Sequence, residues 1–338
     1  MTAAQKTAGD DAEEDQRHSA EVPPELSGMR LDAVCARLFR DWSRARIQGW
    51  IAAGRVHLNG VATDVPRTLV KAGDLLELEA QAEVSHAVQA EAIALDVIYE
   101  DKAIAVINKP AGLTAHPGAG VSSGTLQNAL LHRWPQTAVV PRAGLVHRLD
   151  KDTSGLLVVA LTLPAHPKLV AMLSEHDIRR EYDAVVHGAM VSGGTVSTQI
   201  GRHPRDRVKM AVLDRGGREA VTHYRVHERF PAHTHVRVKL ETGRTHQIRV
   251  HMAHIKHPLI GDRTYGGDVV RGRGMDEDLR NALKAFPRQA LHARELELEH
   301  PVSGKSMSWC VEPPRDMQEL LATLRQHALP PKNTTRYA

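Results

Sequence analysis

The sequence predicts an α+β protein: a small α/β unit followed by a larger domain built on a mixed, largely antiparallel sheet flanked by helices. Three observations carry this. Apolar residues repeat at helical spacing early in the chain and then give way to an Asn-Gly turn. An Ala/Glu/Gln-rich stretch separates that region from the rest. Beyond it, short strand-like segments recur without a regular strand–helix alternation.

Residues 1–25 carry no apolar period. Two basic side chains stand there against seven acidic ones, a net −5, and this leaves +9 for the remainder of a chain whose formal total is +4. The arm reads as a disordered acidic tail, ending near Pro23-Pro24. From residue 26 the pattern changes. Leu31, Val34, Cys35, Leu38 and Phe39 form the stripe of an amphipathic helix; Ser43 stands where an N-cap would open a second helix through Ile47, Trp50 and Ile51, and Gly54 can close it. RVHLNGVAT then alternates around Asn59-Gly60, a dipeptide suited to a tight hairpin, and LLELE supplies another strand. The unit spans residues 26–82, and from Arg30 to Lys71 it holds eight basic residues against three acidic ones.

Residues 83–94 read as a linker, 95–326 as the second domain, and 327–338 as a loose tail. In the second domain VIYED, AIAVINKP, GLLVVAL, EYDAVVHG, VTHYRVHE, THVRVKLETG and LELEHP supply strands, with helical stretches near 125–133 and 165–175. An apolar content of 42% with 25% charged residues suffices for real cores. Two cysteines, far apart, exclude a disulfide framework or a cysteine zinc site and fit a reducing, cytoplasmic setting. With no signal-type h-region and no run of 18 apolar residues, secretion and membrane spanning are not expected.

Chemistry concentrates in GLVHRLDKDTSGLLVVAL, residues 144–161, where polar residues sit between two apolar runs. Asp150 and Asp152 are candidate bases or nucleophiles, Arg148 and Lys151 cationic contacts, and Ser154-Gly155 a turn. The strand that follows would hold the carboxylate on a rigid edge. Other readings find less support. His246, His251, His254 and His257 are closely spaced, but the last three diverge around a helix, HEXXH is absent, and neither a nucleophile elbow, a P-loop nor a dinucleotide fingerprint occurs, so no metal and no cofactor are expected.

HRLDKDTSG closely resembles the signature of the RluA-type RNA pseudouridine synthases. That resemblance implies that Asp150 is the catalytic aspartate and that Arg148 fills the place of the flipped-out nucleotide. LETGRTHQIRVHMAHIKHPLIGDRTYGG resembles the same superfamily and makes Arg249 the basic partner of the aspartate. RREYDAVVHG makes Tyr182 the active-site aromatic, stacking on the target base and assisting proton removal at C5. A guanidinium suits its task, because it stays charged and orients a carboxylate through bidentate hydrogen bonds. MRLDAVCARLF and GRVHLNG resemble the S4 RNA-binding domain, and HPRDRVKMAV and REAVTHYRV resemble the RluD branch.

Together these imply that the substrate partner is large-subunit ribosomal RNA, with uridines of the helix-69 stem-loop as targets. Reaching an atom inside a stacked base calls for base flipping, and no membrane or nucleotide partner is expected; the sequence leaves the oligomeric state open, with a monomer as the default expectation. Six basic residues between Arg202 and Arg218 would contact phosphates. The competing readings are a synthase acting on other ribosomal sites or on transfer RNA, and a non-catalytic S4-containing assembly factor. Retention of both Asp150 and Arg249 argues against the last.

Overall fold

A computed structural model describes residues 16–39, 44–80, 88–118, 121–206, 208–266 and 275–328. By its internal contacts the chain divides into two units, residues 1–87 and 88–338.

In the first unit, β1 (Gln16–Glu21) is followed by α1 (Leu31–Leu38), α2 (Arg44–Ala52), β2 (Val56–Leu58), β3 (Val61–Ala62) and β4 (Leu75–Ala80). The four strands form an antiparallel sheet in the order β1-β4-β2-β3. The helical stripe is borne out, since Leu31, Val34, Cys35, Ile47 and Ile51 are fully buried against Val56, Leu76 and Leu78. Asn59 and Gly60 both take positive φ, 53° and 79°, as the two central residues of a type I′ hairpin require. Gly54, at φ 71°, terminates α2; the expected cap, Ser43, lies outside the described residues. The disordered reading of residues 1–25 needs correction at Gln16–Glu21, which pairs residue for residue with β4. QRHSAE has no apolar alternation to reveal a strand, because an edge strand is held by its backbone ladder rather than by its side chains.

The second unit runs β5 (Asp96–Glu100), β6 (Ile104–Lys109), α3 (Leu126–Arg133), β7 (Ser154–Ala160), α4 (Ala165–Ser174), β8 (Arg179–His187), β9 (Gly194–Arg202), β10 (Met210–Leu213), β11 (Arg218–Arg229), β12 (His233–Leu240), α5 (Gln247–His254), α6 (Glu277–Ala285), β13 (Leu291–Glu299), β14 (Ser306–Cys310) and α7 (Arg315–Gln326). Among the described residues its ten strands form one sheet in the order β10-β9-β11-β12-β8-β13-β7-β6-β5, with β14 added to β13. Every pairing is antiparallel except that of β13 with β7, so the sheet is mixed and largely antiparallel as its sequence predicts.

Both faces are covered. α3 and α5 pack Leu126, Leu130, Ile248 and Met252 over the face that carries Tyr182, Ala184 and Val186. α4 lies against Ile104, Val106 and Val158, and α6 and α7 cover Val185 and Ile260. The expected linker divides. Residues 83–87 fall outside the described residues, whereas Gln89 and Glu91 are tied to α3: Asn128 Nδ2 donates to Gln89 O, and the Glu91 carboxylate accepts the Gly124 N–H. Ser154-Gly155 is not a turn. Both residues belong to β7, where Gly155 takes φ 114° and a Cβ would lie 2.2 Å from Ala293 O of β13, each of which calls for glycine.

Candidate active site

Asp150 lies in the loop that enters β7, and four groups from distant parts of the chain fix that loop. Lys109, fully buried at the end of β6, donates to Pro110 O, Leu113 O and Lys151 O at 2.8–3.0 Å. Arg288 Nη1 donates to Asp152 O, Gln289 Nε2 donates to Thr153 Oγ1, and Ser154 Oγ bonds His292 Nδ1. Arg288 is itself gripped by both oxygens of Asp316 at the start of α7. Burial pulls the Lys109 ammonium down to about 8, against the pull of Asp152 and Asp150, which favour its charged form.

Arg249 comes from the first turns of α5. Its Nη1 donates to Asp150 Oδ2 at 3.1 Å, while Nε and Nη2 form a bidentate pair with Asp262, at 2.7 and 2.9 Å. Burial alone would weaken the guanidinium's hold on its proton, but Asp262 and Asp150 outweigh it and raise its pKa above the ordinary value. Tyr265 stacks its ring 5.1 Å from the same guanidinium. Arg249 is thus aimed from behind, and one nitrogen is left for Asp150.

These groups open on a cavity of about 690 Å³. Arg142, Arg148, Arg180, Arg218, Arg244 and Arg249 all line it, and among the described residues Asp150 is its one carboxylate. The four residues singled out in the sequence are therefore brought together: Asp150, Arg148, Tyr182 and Arg249 share this cavity. Tyr182, buried on β8, has its phenol pushed up by burial, with Arg180 opposing and Asp150 adding to the rise. Arg148 is exposed and its Nη1 donates to His116 Nε2 at 2.7 Å. Asp152 and Lys151 do not line the cavity; they contribute backbone carbonyls to the clamp instead.

Sequence reasoning missed Asp262, Tyr265, Lys109 and Arg288, and weighed His246 as a metal ligand alone. Asp262, Tyr265 and His246 stand inside the segment already recognised, and a lysine closing the apolar run AIAVIN signals a buried ammonium. Of the histidines considered as metal ligands, His251 bonds Thr222 and Thr198, and His257 bonds the His187 carbonyl.

A family model for RNA pseudouridylate synthase matches residues 103–254, and one for the S4 domain matches residues 29–76. Ribosomal large subunit pseudouridine synthase D of Pseudomonas aeruginosa is 54% identical over 310 residues, which cover 92% of this chain and 96% of that protein. The chain belongs to the RNA pseudouridylate synthase family. The enzyme of the same title from Escherichia coli K12 is 50% identical over 307 residues, covering 91% of this synthase and 94% of its relative. Among solved structures, human RNA pseudouridylate synthase domain containing 1 superposes with a TM-score of 0.53 at 28% identity, over 69% of this chain and 89% of that one. The synthase thus joins an S4 domain to a catalytic sheet of the family's type.

Proposed function

We propose that this synthase converts specific uridines of large-subunit ribosomal RNA to pseudouridine, with the helix-69 stem-loop as its target and Asp150 as its acting carboxylate. One observation carries the reading: among the described residues one carboxylate, held by a back-anchored arginine, faces a cavity to which five further arginines contribute guanidinium groups. Guanidiniums donate to phosphate oxygens and the carboxylate is left for the sugar. The two relatives named above, ribosomal large subunit pseudouridine synthases D, support the choice of RNA. The work takes place in the cytoplasm, on free ribosomal RNA or an assembling subunit, by a monomer.

Isomerisation breaks the N1–C1′ bond, turns the uracil and joins C5 to C1′; the C5 proton is then lost and N1 gains one. The target nucleotide must leave its stack, at a cost of a few kcal/mol, and Arg148 is placed at the mouth of the cavity to occupy the vacated space. Asp150 presents Oδ1, the oxygen not engaged by Arg249, to the sugar. Attack at C1′ to give an ester and removal of the C2′ proton to give a glycal both need that oxygen ionised and oriented, and Arg249 serves either route. Tyr182 supplies a flat wall for the base and a hydroxyl near C5.

The test is to incubate the purified chain, with EDTA and without nucleotide, with a large-subunit rRNA fragment and to map pseudouridine, running Asp150→Asn in parallel. Conversion in the stem-loop by the wild type, with an Asp150→Asn protein that binds but does not convert, is the expected result. Binding without conversion by the wild type, on ribosomal or transfer RNA, would overturn the reading in favour of an assembly factor.

A further inference from the structure

His246 precedes α5 with φ 57°, in the left-handed region that a side chain disfavours, and its ring lines the cavity beside Asp150. Its proton is positioned by a neighbour. The Tyr265 hydroxyl accepts the Met210 N–H at 3.0 Å and lies 2.8 Å from His246 Nδ1. A backbone N–H only donates, and among the described residues the hydroxyl has no acceptor other than Nδ1. Tyr265 therefore donates to Nδ1, and the neutral ring carries its hydrogen on Nε2. Burial favours that neutral ring; Asp150 and Asp262 oppose it, and Arg249 and Arg148 reinforce it.

Nε2 stands 3.9 Å from Asp150 Oδ1. That gap is too long for a hydrogen bond, and among the described residues nothing else bonds Nε2. A donor on one side and a carboxylate oxygen on the other call for one group that both accepts and donates, and a hydroxyl at ordinary hydrogen-bond lengths from each spans the distance. In a ribonucleotide the hydroxyl next to the reacting C1′ is the 2′-OH, the group that distinguishes RNA from DNA.

We propose that His246 reads the target ribose: its Nε2–H and Asp150 Oδ1 bracket the 2′-hydroxyl of the flipped uridine and so set C1′ and C2′ against the carboxylate. This rests on the synthase reading above. His246 is then a specificity-determining contact to substrate, and Tyr265 a positioning residue acting through it.

The experiment uses the full chain and two versions of one large-subunit rRNA stem-loop, with uridine or 2′-deoxyuridine at the single target position, and measures dissociation constants and single-turnover rates. Wild type is expected to favour the ribose target about tenfold, the scale of one hydrogen bond. His246→Phe should lose that factor on the ribose target and nothing further on the deoxy target, and His246→Gln, which keeps an N–H, should recover part of it. Equal losses on both targets overturn the proposal. Should His246→Phe fail to fold, Tyr265→Phe decides: a fallen ribose-to-deoxy ratio supports the assignment and an unchanged one sinks it. A wild type that converts neither target refutes the synthase reading, while the ratio of binding constants still tests His246.

Discussion

Asp262 has no exposed side-chain surface and spends both oxygens on Arg249, so its loss would leave a buried guanidinium with Asp150 alone. Removing one member of a buried ion pair costs roughly 3–5 kcal/mol. Asp262→Ala should therefore lower the urea midpoint by the equivalent of about 3 kcal/mol and reduce kcat more than RNA affinity. Lys109 gives a pH signature. Its ammonium uses three N–H groups on three carbonyls, and a neutral amine has only two. With its pKa at about 8, kcat should fall on the alkaline side through that value, and Lys109→Met should lower the rate and abolish this limb. Stability should move the other way. Between about 8 and the ordinary 10.5 the unfolded chain holds more proton than the folded one, so unfolding free energy rises with pH while activity declines. A rate and a melting point that fall together would refute this assignment.

At the level of elements, β7 and β13 explain why a glycine sits immediately after the acting loop. Gly155→Ala forces both an unfavourable φ of 114° and a contact of 2.2 Å with Ala293 O. The backbone penalty alone is about 1–3 kcal/mol, and the parallel pair must also spread. Denaturant unfolding should show a loss of at least that size, with a parallel loss of activity as residues 150–154 shift. The same strands mark where the chain was legible and where it was not. α1, the hairpin at Asn59-Gly60 and β6 announce themselves by apolar period or turn chemistry. Ser154-Gly155 resembles a turn because its strand conformation is imposed by β13, 138 residues away, and β1 is silent because its energy lies in backbone hydrogen bonds. At the site, Asp150, Arg148, Tyr182 and Arg249 were found through short motifs. Asp262 and Arg288 were not singled out, since a residue that acts by gripping another betrays itself only when the two are seen together.

For the whole molecule, the two units have separate cores, one built on Leu31, Ile47 and Leu78, the other spread over both faces of the large sheet. Deleting residues 1–87 should leave conversion chemistry measurable while weakening RNA binding. Each phosphate that the shortened chain no longer neutralises should reduce the slope of log affinity against log salt by about 0.7–0.9, and titrations at several salt concentrations would show an unchanged slope if the first unit touches none. The bonds that seat residues 152–154 carry a consequence of another kind. Arg288, Gln289 and His292 close loops of 136 to 138 residues, the sort of non-local pairing that forms late and slows folding. A chain emerging from its N-terminus completes the small first unit before residue 292, the last of the groups that seat the Asp150 loop, has been made. Translation arrested before that point would yield a fragment that holds the first unit's core but lacks three of the side chains that seat the acting loop.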